Sequence, residues 1–176
     1  MTRDLHSLYL PVRRNLLAFL DYANLHIDTE GMIEPFETLR TEDRQAVVLQ
    51  NGRSKVKTGL HQMGLAVDVW PSLRDGSWPD PKYLNAWPNW NTLGTYGKAF
   101  GFTWGGDWDN DGSSEDEKFL DRVHFEMTFE VKKEMLEYIY LRAGIKGVWE
   151  HLDAILENKE NVGNLLKQEG ANGVPK

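Results

Sequence analysis

The chain has 176 residues, no cysteine and a formal net charge of −7, from 20 basic and 27 acidic side chains. The missing thiols exclude disulfide frameworks, thiolate zinc fingers, iron–sulfur clusters and cysteine nucleophiles. The negative charge argues against a general nucleic-acid binder, and no apolar run approaches the roughly 18 residues of a membrane span. We therefore expect a globular, monomeric protein that has neither nucleic acid nor membrane as a partner.

The negative charge is concentrated in the middle of the chain. Residues 61–130 carry 5 basic and 12 acidic side chains, whereas basic and acidic side chains balance in residues 1–60 and 131–176. Clustered carboxylates repel one another unless a cation or solvent compensates. The middle of the chain is therefore where we look for a metal.

The first third of the chain predicts a helix, a strand and a second helix. Apolar residues recur at three- and four-residue steps over residues 4–27, which is typical of a helix. Residues 31–39 indicate a short strand entered by a turn. Residues 41–50 follow with Thr41 as the helix cap, and Asn51-Gly52 ends that helix.

The middle third predicts two strands separated by irregular chain. Residues 64–70 alternate as a strand does, and residues 119–129 show a second alternation. Between them, residues 71–92 hold four of the seven prolines and indicate a covering loop. A short helix over 92–100 and a loop rich in Gly and Asp over 101–118 complete this part.

The last part of the chain predicts helices. Residues 130–168 read as two amphipathic helices with a break near Gly144 and Gly147. A loose tail is expected from Gly170 to the end.

Two histidines and an aspartate form the first candidate site. His61 lies in the turn before the first middle strand, Asp68 lies on that strand, and His124 lies on the polar face of the second. Imidazole and carboxylate are suitable ligands for Zn²⁺, and a catalytic zinc needs three protein ligands with one open position. The spacing alone is equally typical of ordinary polar residues at strand ends.

Two further residues could take part in chemistry beside such a metal. Asp121 stands three residues before His124, where a carboxylate could take a proton from water and pass it to a leaving amine. Arg40 precedes a helix and could bind a carboxylate or stabilise an oxyanion. A solvated acid and a surface arginine are the alternatives.

A calcium loop is the next candidate. Acids at alternate positions followed by glycine match the first half of an EF-hand loop, with oxygen ligands expected from Asp107, Asp109, Asp111, Ser113 and Glu115. The twelfth position is Lys118 instead of the usual glutamate, so an irregular calcium loop is expected in place of a standard EF-hand. A solvated acidic loop is the alternative.

Tryptophans surround the candidate ligands in sequence. They could line a groove for sugar or peptide, or they could be packing residues. They are Trp70, Trp78, Trp87, Trp90, Trp104 and Trp108.

The signals occur together in the order of one known family. His61-Gln-Met-Gly-Leu-Ala-Val-Asp68 resembles the His-x-x-Gly-x-Ala-x-Asp signature of a zinc peptidase family. That family includes D-alanyl-D-alanine carboxypeptidases and dipeptidases of vancomycin resistance and phage L-alanyl-D-glutamate endopeptidases. The second family motif resembles Asp121-Arg-Val-His124-Phe-Glu126. Other stretches similar to the family are Leu39-Arg40-Thr41, Arg44-Gln45, Gly52-Arg53-Ser54 and Trp104-Gly-Gly-Asp-Trp108.

The resemblance implies a role for each matching position. His61, Asp68 and His124 would bind zinc, Asp121 would act as general base and then general acid, and Arg40 would stabilise the substrate carbonyl or the oxyanion. It implies an α+β fold in which a small, mostly antiparallel sheet carries the zinc site between helices. Residues 1–129 would be the catalytic domain, with residues 130–176 as a helical extension packed on it.

The expected activity is hydrolysis of a peptide bond in the stem peptide of peptidoglycan. No segment at the N-terminus reads as a signal peptide, so we expect a phage endolysin that cleaves the L-alanyl-D-glutamate bond. It would be made in the host cytoplasm and act on the wall after release, and calcium would regulate it. A wall-trimming D-alanyl-D-alanine carboxypeptidase and a non-catalytic, calcium-dependent wall-binding module are the alternatives.

Overall fold

The structure is a computed structural model that describes residues 2–172, with side chains described up to residue 161. It separates into two compact units, residues 1–128 and residues 129–176. The first unit combines four helices longer than one turn with a four-stranded antiparallel sheet, and the second is helical. The predicted α+β class is confirmed.

The N-terminal helix α1 spans Leu10–His26. The predicted start at residue 4 is wrong, because Pro11 lacks the N–H that an inner helical turn needs and fits only the first turn. The preceding residues Leu5–Ser7 form a separate 3-10 helix capped by Asp4. The buried face of α1 consists of Val12, Leu16, Phe19, Leu20 and Ala23.

The sheet has the strand order β1-β2-β4-β3, with every neighbouring pair antiparallel. Its strands are β1 (Ile33–Glu37), β2 (Ala66–Pro71), β3 (Thr103–Trp104) and β4 (His124–Glu126). In the register of β2 and β4, Asp68 lies directly opposite His124. Directly opposed residues of an antiparallel pair project from the same face, so the sheet itself brings these two side chains together.

Strand β4 is much shorter than the predicted strand over residues 119–129, and that prediction is wrong at both ends. The amide of Asp121 donates to the carbonyl of Gly105, and the amide of His124 donates to the carbonyl of Asp121. The second bond closes a turn, so the chain reaches extended pairing only at His124. The turn places Asp121 beside the end of the strand.

Three further helices of the first unit connect the strands. Helix α2 (Glu42–Gln50) has the predicted Thr41 cap, and helix α4 (Trp90–Ala99) begins two residues before its prediction. Helix α3 (Pro81–Ala86) lies inside the stretch predicted as a loop. It begins with a capping Asp80 and a proline in its first turn, which are ordinary helix-start signals.

The second unit contains α5, which spans Lys133–Asn172 and is interrupted at Gly144. That glycine has φ 66° and ψ −167°, a conformation that side chains disfavour, so the predicted break at Gly144 is confirmed. Gly147 is helical, and the chain is helical up to Asn172 where a tail was predicted. The rest of the predicted tail lies outside the described residues.

None of the described helices combines the length and the apolar composition needed to cross a bilayer.

The core of the first unit lies between α1, α4 and the sheet. The ring centroids of Phe19 on α1 and Phe125 on β4 are 5.1 Å apart. Gly97 of α4 faces both rings, and a Cβ there would meet ring carbons of Phe125. The glycine therefore lets the helix approach the sheet that carries the candidate site.

We expect Gly97→Ala to destabilise the protein. Alanine in a helix interior normally stabilises by about 1 kcal/mol relative to glycine, but overpacking a core costs about 1–3 kcal/mol. Urea unfolding should show a net loss of about 1 kcal/mol. Thr92→Ala, at an exposed position of the same helix, is the matched control. A gain in the free energy of unfolding of Gly97→Ala would contradict the close packing.

Candidate metal centre

His61 lies in a 3-10 helix, Leu60–Met63, that precedes β2. Gly64 ends this helix in the left-handed conformation, with φ 67°, and its amide donates to the carbonyl of His61. Glycine adopts this conformation at no steric cost. The glycine of the His-x-x-Gly signature therefore turns the chain so that the histidine and the following strand face the same niche.

The three predicted ligands come together at one point. Nε2 of His61 lies 3.1 Å from Oδ1 of Asp68 and 3.2 Å from Nδ1 of His124, and the last two atoms are 3.3 Å apart. A tetrahedral zinc with bonds of about 2.0–2.1 Å places its ligand atoms about 3.3 Å apart. The triangle has the size of one face of that tetrahedron, so the three side chains fit a zinc ion with one position open.

The outer ring nitrogens fix the orientation of both imidazoles. Nδ1 of His61 donates to the carbonyl of Thr38 at 2.7 Å, and Nε2 of His124 donates to Oε2 of Glu126 at 3.1 Å. In the neutral imidazoles, these bonds leave the lone pairs on the two nitrogens that face Asp68. This is the usual outer support of metal-binding histidines.

Burial and proximity shift the pKa values in this cluster. Burial alone would raise the pKa of Asp68, but the charge of His61 and the hydrogen bonds of both imidazoles lower it well below its usual range. Burial alone would lower the pKa of His124, but hydrogen bonds with Asp68 and Glu126 raise it to about 10. Without a cation, the cluster therefore binds a proton on His124. The positive charge of that proton takes the part that a metal ion would play.

Arg40 lies beside the cluster and holds the second oxygen of Asp68. Its Nη2 lies 3.5 Å from Oδ2 of Asp68, and Nε and Nη2 both donate to Glu37. Nη1 donates to Oε1 of Gln45 at 3.1 Å. Arginine has five N–H donors, so one donor on Nη1 is left for an incoming group.

Asp121 is positioned by the backbone of the Trp104–Gly106 segment. Its amide donates to the carbonyl of Gly105 at 2.7 Å, and a Cβ on Gly105 would overlap the carbonyl oxygen of Asp121. Burial raises the pKa of Asp121, the charge of His124 opposes the rise and the charge of Asp68 adds to it. The charges of the metal-binding residues therefore act on the carboxyl group of Asp121. Its raised pKa suits a proton carrier.

Several supporting residues were not predicted from the sequence. They are Glu37, Thr38, Gln45 and, as the partner of His124, Glu126. Glu126 had a sequence signal, because it stands two residues after His124 on the same strand face. Glu37 and Thr38 had none, since only the pairing of β1 with β2 brings them to the site. Gln45 lies on α2, in the segment that resembles the family, but its contact with Arg40 was not predicted.

The predicted calcium loop contains one buried acid. Asp107 is 1% exposed, and its Oδ2 accepts hydrogen bonds from Lys98 Nζ at 2.5 Å and from the amide of Gly112 at 3.1 Å. Its Oδ1 is buried and accepts no hydrogen bond from the described residues. One oxygen of Asp107 is thus used internally and the other is not.

The other acids of this loop form two overlapping groups. Asp107, Asp109 and Glu117 offer ligand atoms within 4.8 Å of one another, and so do Asp109, Asp111 and Asp116. Of the remaining predicted ligands, Glu115 joins neither group, and the Ser113 hydroxyl accepts a hydrogen bond from the amide of Glu115. Calcium binding stays a prediction.

The raised pKa of His124 predicts how the metal-free protein responds to pH. A pKa of about 10 in the folded state, above the ordinary 6.5, gives a stabilisation that is full below pH 6.5 and is lost as pH rises to 10. With the metal removed by a chelator, the free energy of unfolding should fall more steeply over this range in the parent protein than in His124→Gln.

His151→Gln is the control, because His151 lies in the helical second unit. This variant should keep the steep fall. Equal slopes for the parent protein and His124→Gln would contradict the assignment of the proton to His124.

Comparison with known proteins supports the family that the motifs resemble. Residues 53–127 match the sequence model of a family described as D-alanyl-D-alanine carboxypeptidase. The fold is similar to that in a crystal structure of the Serratia marcescens L-Ala D-Glu endopeptidase ChiX. The identity is 21% and the TM-score 0.52, over 72% of this chain and 84% of that chain. No curated protein matches the chain.

The matched segment contains both motifs of the predicted signature, from His61 to Asp68 and from Asp121 to His124. Their side chains meet at a cluster whose size and lone pairs suit zinc. The similarity to the solved endopeptidase structure shows that the fold is shared as well. Over residues 53–127, the chain therefore resembles the D-alanyl-D-alanine carboxypeptidase family of zinc peptidases.

Proposed function

We propose that this chain is a zinc-dependent peptidoglycan endopeptidase that cleaves the bond between L-alanine and D-glutamate in the stem peptide. The match of residues 53–127 to the D-alanyl-D-alanine carboxypeptidase family supports a metallopeptidase that acts on peptidoglycan. The choice of bond is supported by the similarity to a solved L-Ala D-Glu endopeptidase. A lytic role as a phage endolysin, acting on the wall after release from the cytoplasm, stays a prediction from the sequence.

One observation carries the proposal: the lone pairs of His61 and His124 and one oxygen of Asp68 face each other at 3.1–3.3 Å. Like-charged or lone-pair atoms at this distance need a cation or a proton between them. Zinc bound there supplies a Lewis acid for the peptide carbonyl and for the attacking water. The residues of the chain then have to orient the peptide and move protons.

Asp121 is proposed as the proton carrier. Its carboxylate would accept a proton from the attacking water and then donate it to the nitrogen of the leaving amine. Burial raises the pKa of Asp121, and a raised pKa makes the carboxylate a better acceptor for the proton that it then passes on.

Arg40 is proposed to have two roles. Its Nη2 holds Oδ2 of Asp68, so that Oδ1 faces the imidazoles. The free donor on Nη1 would stabilise the negative charge that develops on the carbonyl oxygen. Glu37 keeps the guanidinium in place from the other side.

Two alternative functions differ from the proposed endopeptidase in their products. A D-alanyl-D-alanine carboxypeptidase would use the same cluster but release only terminal D-alanine. A non-catalytic wall-binding module has no need for a buried proton carrier, and the presence of Asp121 beside a complete ligand set argues against it.

The test is to incubate the zinc-loaded protein with purified peptidoglycan and to identify new termini by mass spectrometry. New amino-terminal D-glutamate, paired with carboxy-terminal L-alanine, is the expected result. Asp121→Asn should keep the bound zinc, measured by elemental analysis, and should lose about 100-fold or more of the rate. Release of D-alanine alone would reject the proposed bond, and full activity of Asp121→Asn would reject the mechanism.

We also propose that calcium regulates the site through the acidic loop. Asp107, whose Oδ1 is buried and has no partner among the described residues, belongs to a group of potential ligands with Asp109 and Glu117. The intervening Trp108 packs on His124, with ring centroids 5.5 Å apart. A cation bound by the loop would therefore fix Trp108 against a zinc ligand.

To test calcium regulation, the zinc-loaded protein is dialysed free of calcium in a zinc-containing buffer and then titrated with CaCl₂. The rate of peptidoglycan cleavage should rise and saturate with calcium, and magnesium should not replace it because its coordination demands are stricter. Asp109→Asn should abolish the rise. A rate independent of calcium would reject the regulation and leave the peptidase proposal intact.

A further inference from the structure

A cleft of about 250 Å³ opens directly beside Asp121. It is formed by residues from the loop after α2, from β2, from α3 and α4, and from the turn before β4. Among them are Arg53, Trp70, Leu84, Trp90, Asp121 and Arg122. The proposed proton carrier is therefore part of the wall of this cleft.

The cleft adjoins the metal centre through strand β2. Trp70 stands two residues after Asp68, so both side chains lie on the same face of the sheet and about 7 Å apart along it. The Trp70 ring stacks on Phe36, with centroids 3.7 Å apart and an interplanar angle of 4°. A substrate peptide with its scissile carbonyl at the metal centre would thus place its next residue against Trp70.

Two positive charges of the cleft are not neutralised by the protein. Arg40 and Arg44 both bind Glu37. Arg53 and Arg122, in contrast, make no ion pair with any side chain in the described part of the chain. The backbone of Arg122 is nevertheless fixed, because Trp104 Nε1 donates to its carbonyl at 2.7 Å.

Trp70, which lines the cleft, also has a polar group without a partner. The indole N–H of Trp70 is buried and has no acceptor within the described residues. A buried donor without an acceptor costs free energy, and such groups in native proteins call for a ligand or water. The cleft therefore combines two arginines with the apolar side chains of Leu84 and Trp90, which suits a carboxylate on a short aliphatic stem.

The position of Asp121 identifies which side of the substrate enters the cleft. The proton carrier has to reach the nitrogen of the leaving residue, so the cleft in its wall receives that residue. A glutamyl residue has two carboxyl groups and uses only one of them in the chain. Its free carboxylate would therefore remain in the cleft after the peptide bond is placed at the metal centre.

We infer that Arg53 and Arg122 form a carboxylate-binding subsite that selects a leaving residue with a free carboxylate. This inference rests on the proposed endopeptidase function and specifies its substrate. A charge-assisted hydrogen bond to a carboxylate discriminates against a neutral amide by about tenfold to a hundredfold. The arginines do not touch the reacting atoms and act by positioning the leaving residue.

The test compares two synthetic stem peptides that differ only in the free carboxyl group of the D-glutamyl residue, which is a carboxylate in one and an amide in the other. The parent protein should cleave the carboxylate peptide with a kcat/KM about tenfold or more above that of the amide peptide. Arg53→Gln and Arg122→Gln should reduce this ratio towards one, chiefly by raising KM for the carboxylate peptide. Arg74→Gln, an exposed arginine outside the cleft, should keep the ratio.

A second measurement separates this inference from the proposed function. Calorimetry with product peptides that begin with D-glutamate or its amide needs no catalysis. The parent protein should bind the carboxylate form about tenfold more tightly, and both arginine variants should lose the difference. Equal affinities, or equal cleavage of both substrates, would overturn the subsite. Cleavage of neither substrate, with preserved binding preference, would reject the proposed function alone.

Discussion

The structure of the first unit depends on one electrostatic constraint, namely that three electron-pair donors from separate segments meet at 3.1–3.3 Å, where their side chains are at most 13% exposed. Such a cluster is unfavourable unless a cation or proton lies between the donors. The fold supports it with the carbonyl of Thr38, the carboxylate of Glu126 and the turn at Gly64. The antiparallel register supplies the remaining constraint by placing Asp68 opposite His124.

A second buried network keeps the carboxylate of the cluster in one orientation. Glu37 is 2% exposed and accepts hydrogen bonds from both Arg40 and Arg44. Buried ion pairs of this kind contribute little net stability, because desolvation offsets the attraction. Their effect here is geometric, since Arg40 reaches from Glu37 to Asp68 and determines which oxygen of Asp68 faces the imidazoles.

The sequence predicted the parts of the site that depend on local periodicity. The alternation of residues 64–70 put Asp68 on the polar face of a strand, and the motif spacing related it to His61 and His124. Glu37 could not be predicted, because the shift in register between Pro35 and Glu37 decides how β1 meets β2. The late start of β4 was also missed, since the turn that precedes it depends on a hydrogen bond from the amide of Asp121 to distant Gly105.

The distribution of charge connects the two parts of the proposed function. Between Asp107 and Asp121 the chain has seven acids and one lysine, so an anionic peptide approaching Asp121 meets a repulsive surface. Arg53 and Arg122 reverse the sign of the charge locally, inside the cleft that would receive the leaving residue. Calcium in the acidic loop would weaken the surrounding repulsion, which acts over roughly 8 Å at physiological salt. The arginines would then select the substrate at short range, while the loop would control how readily an anion reaches them.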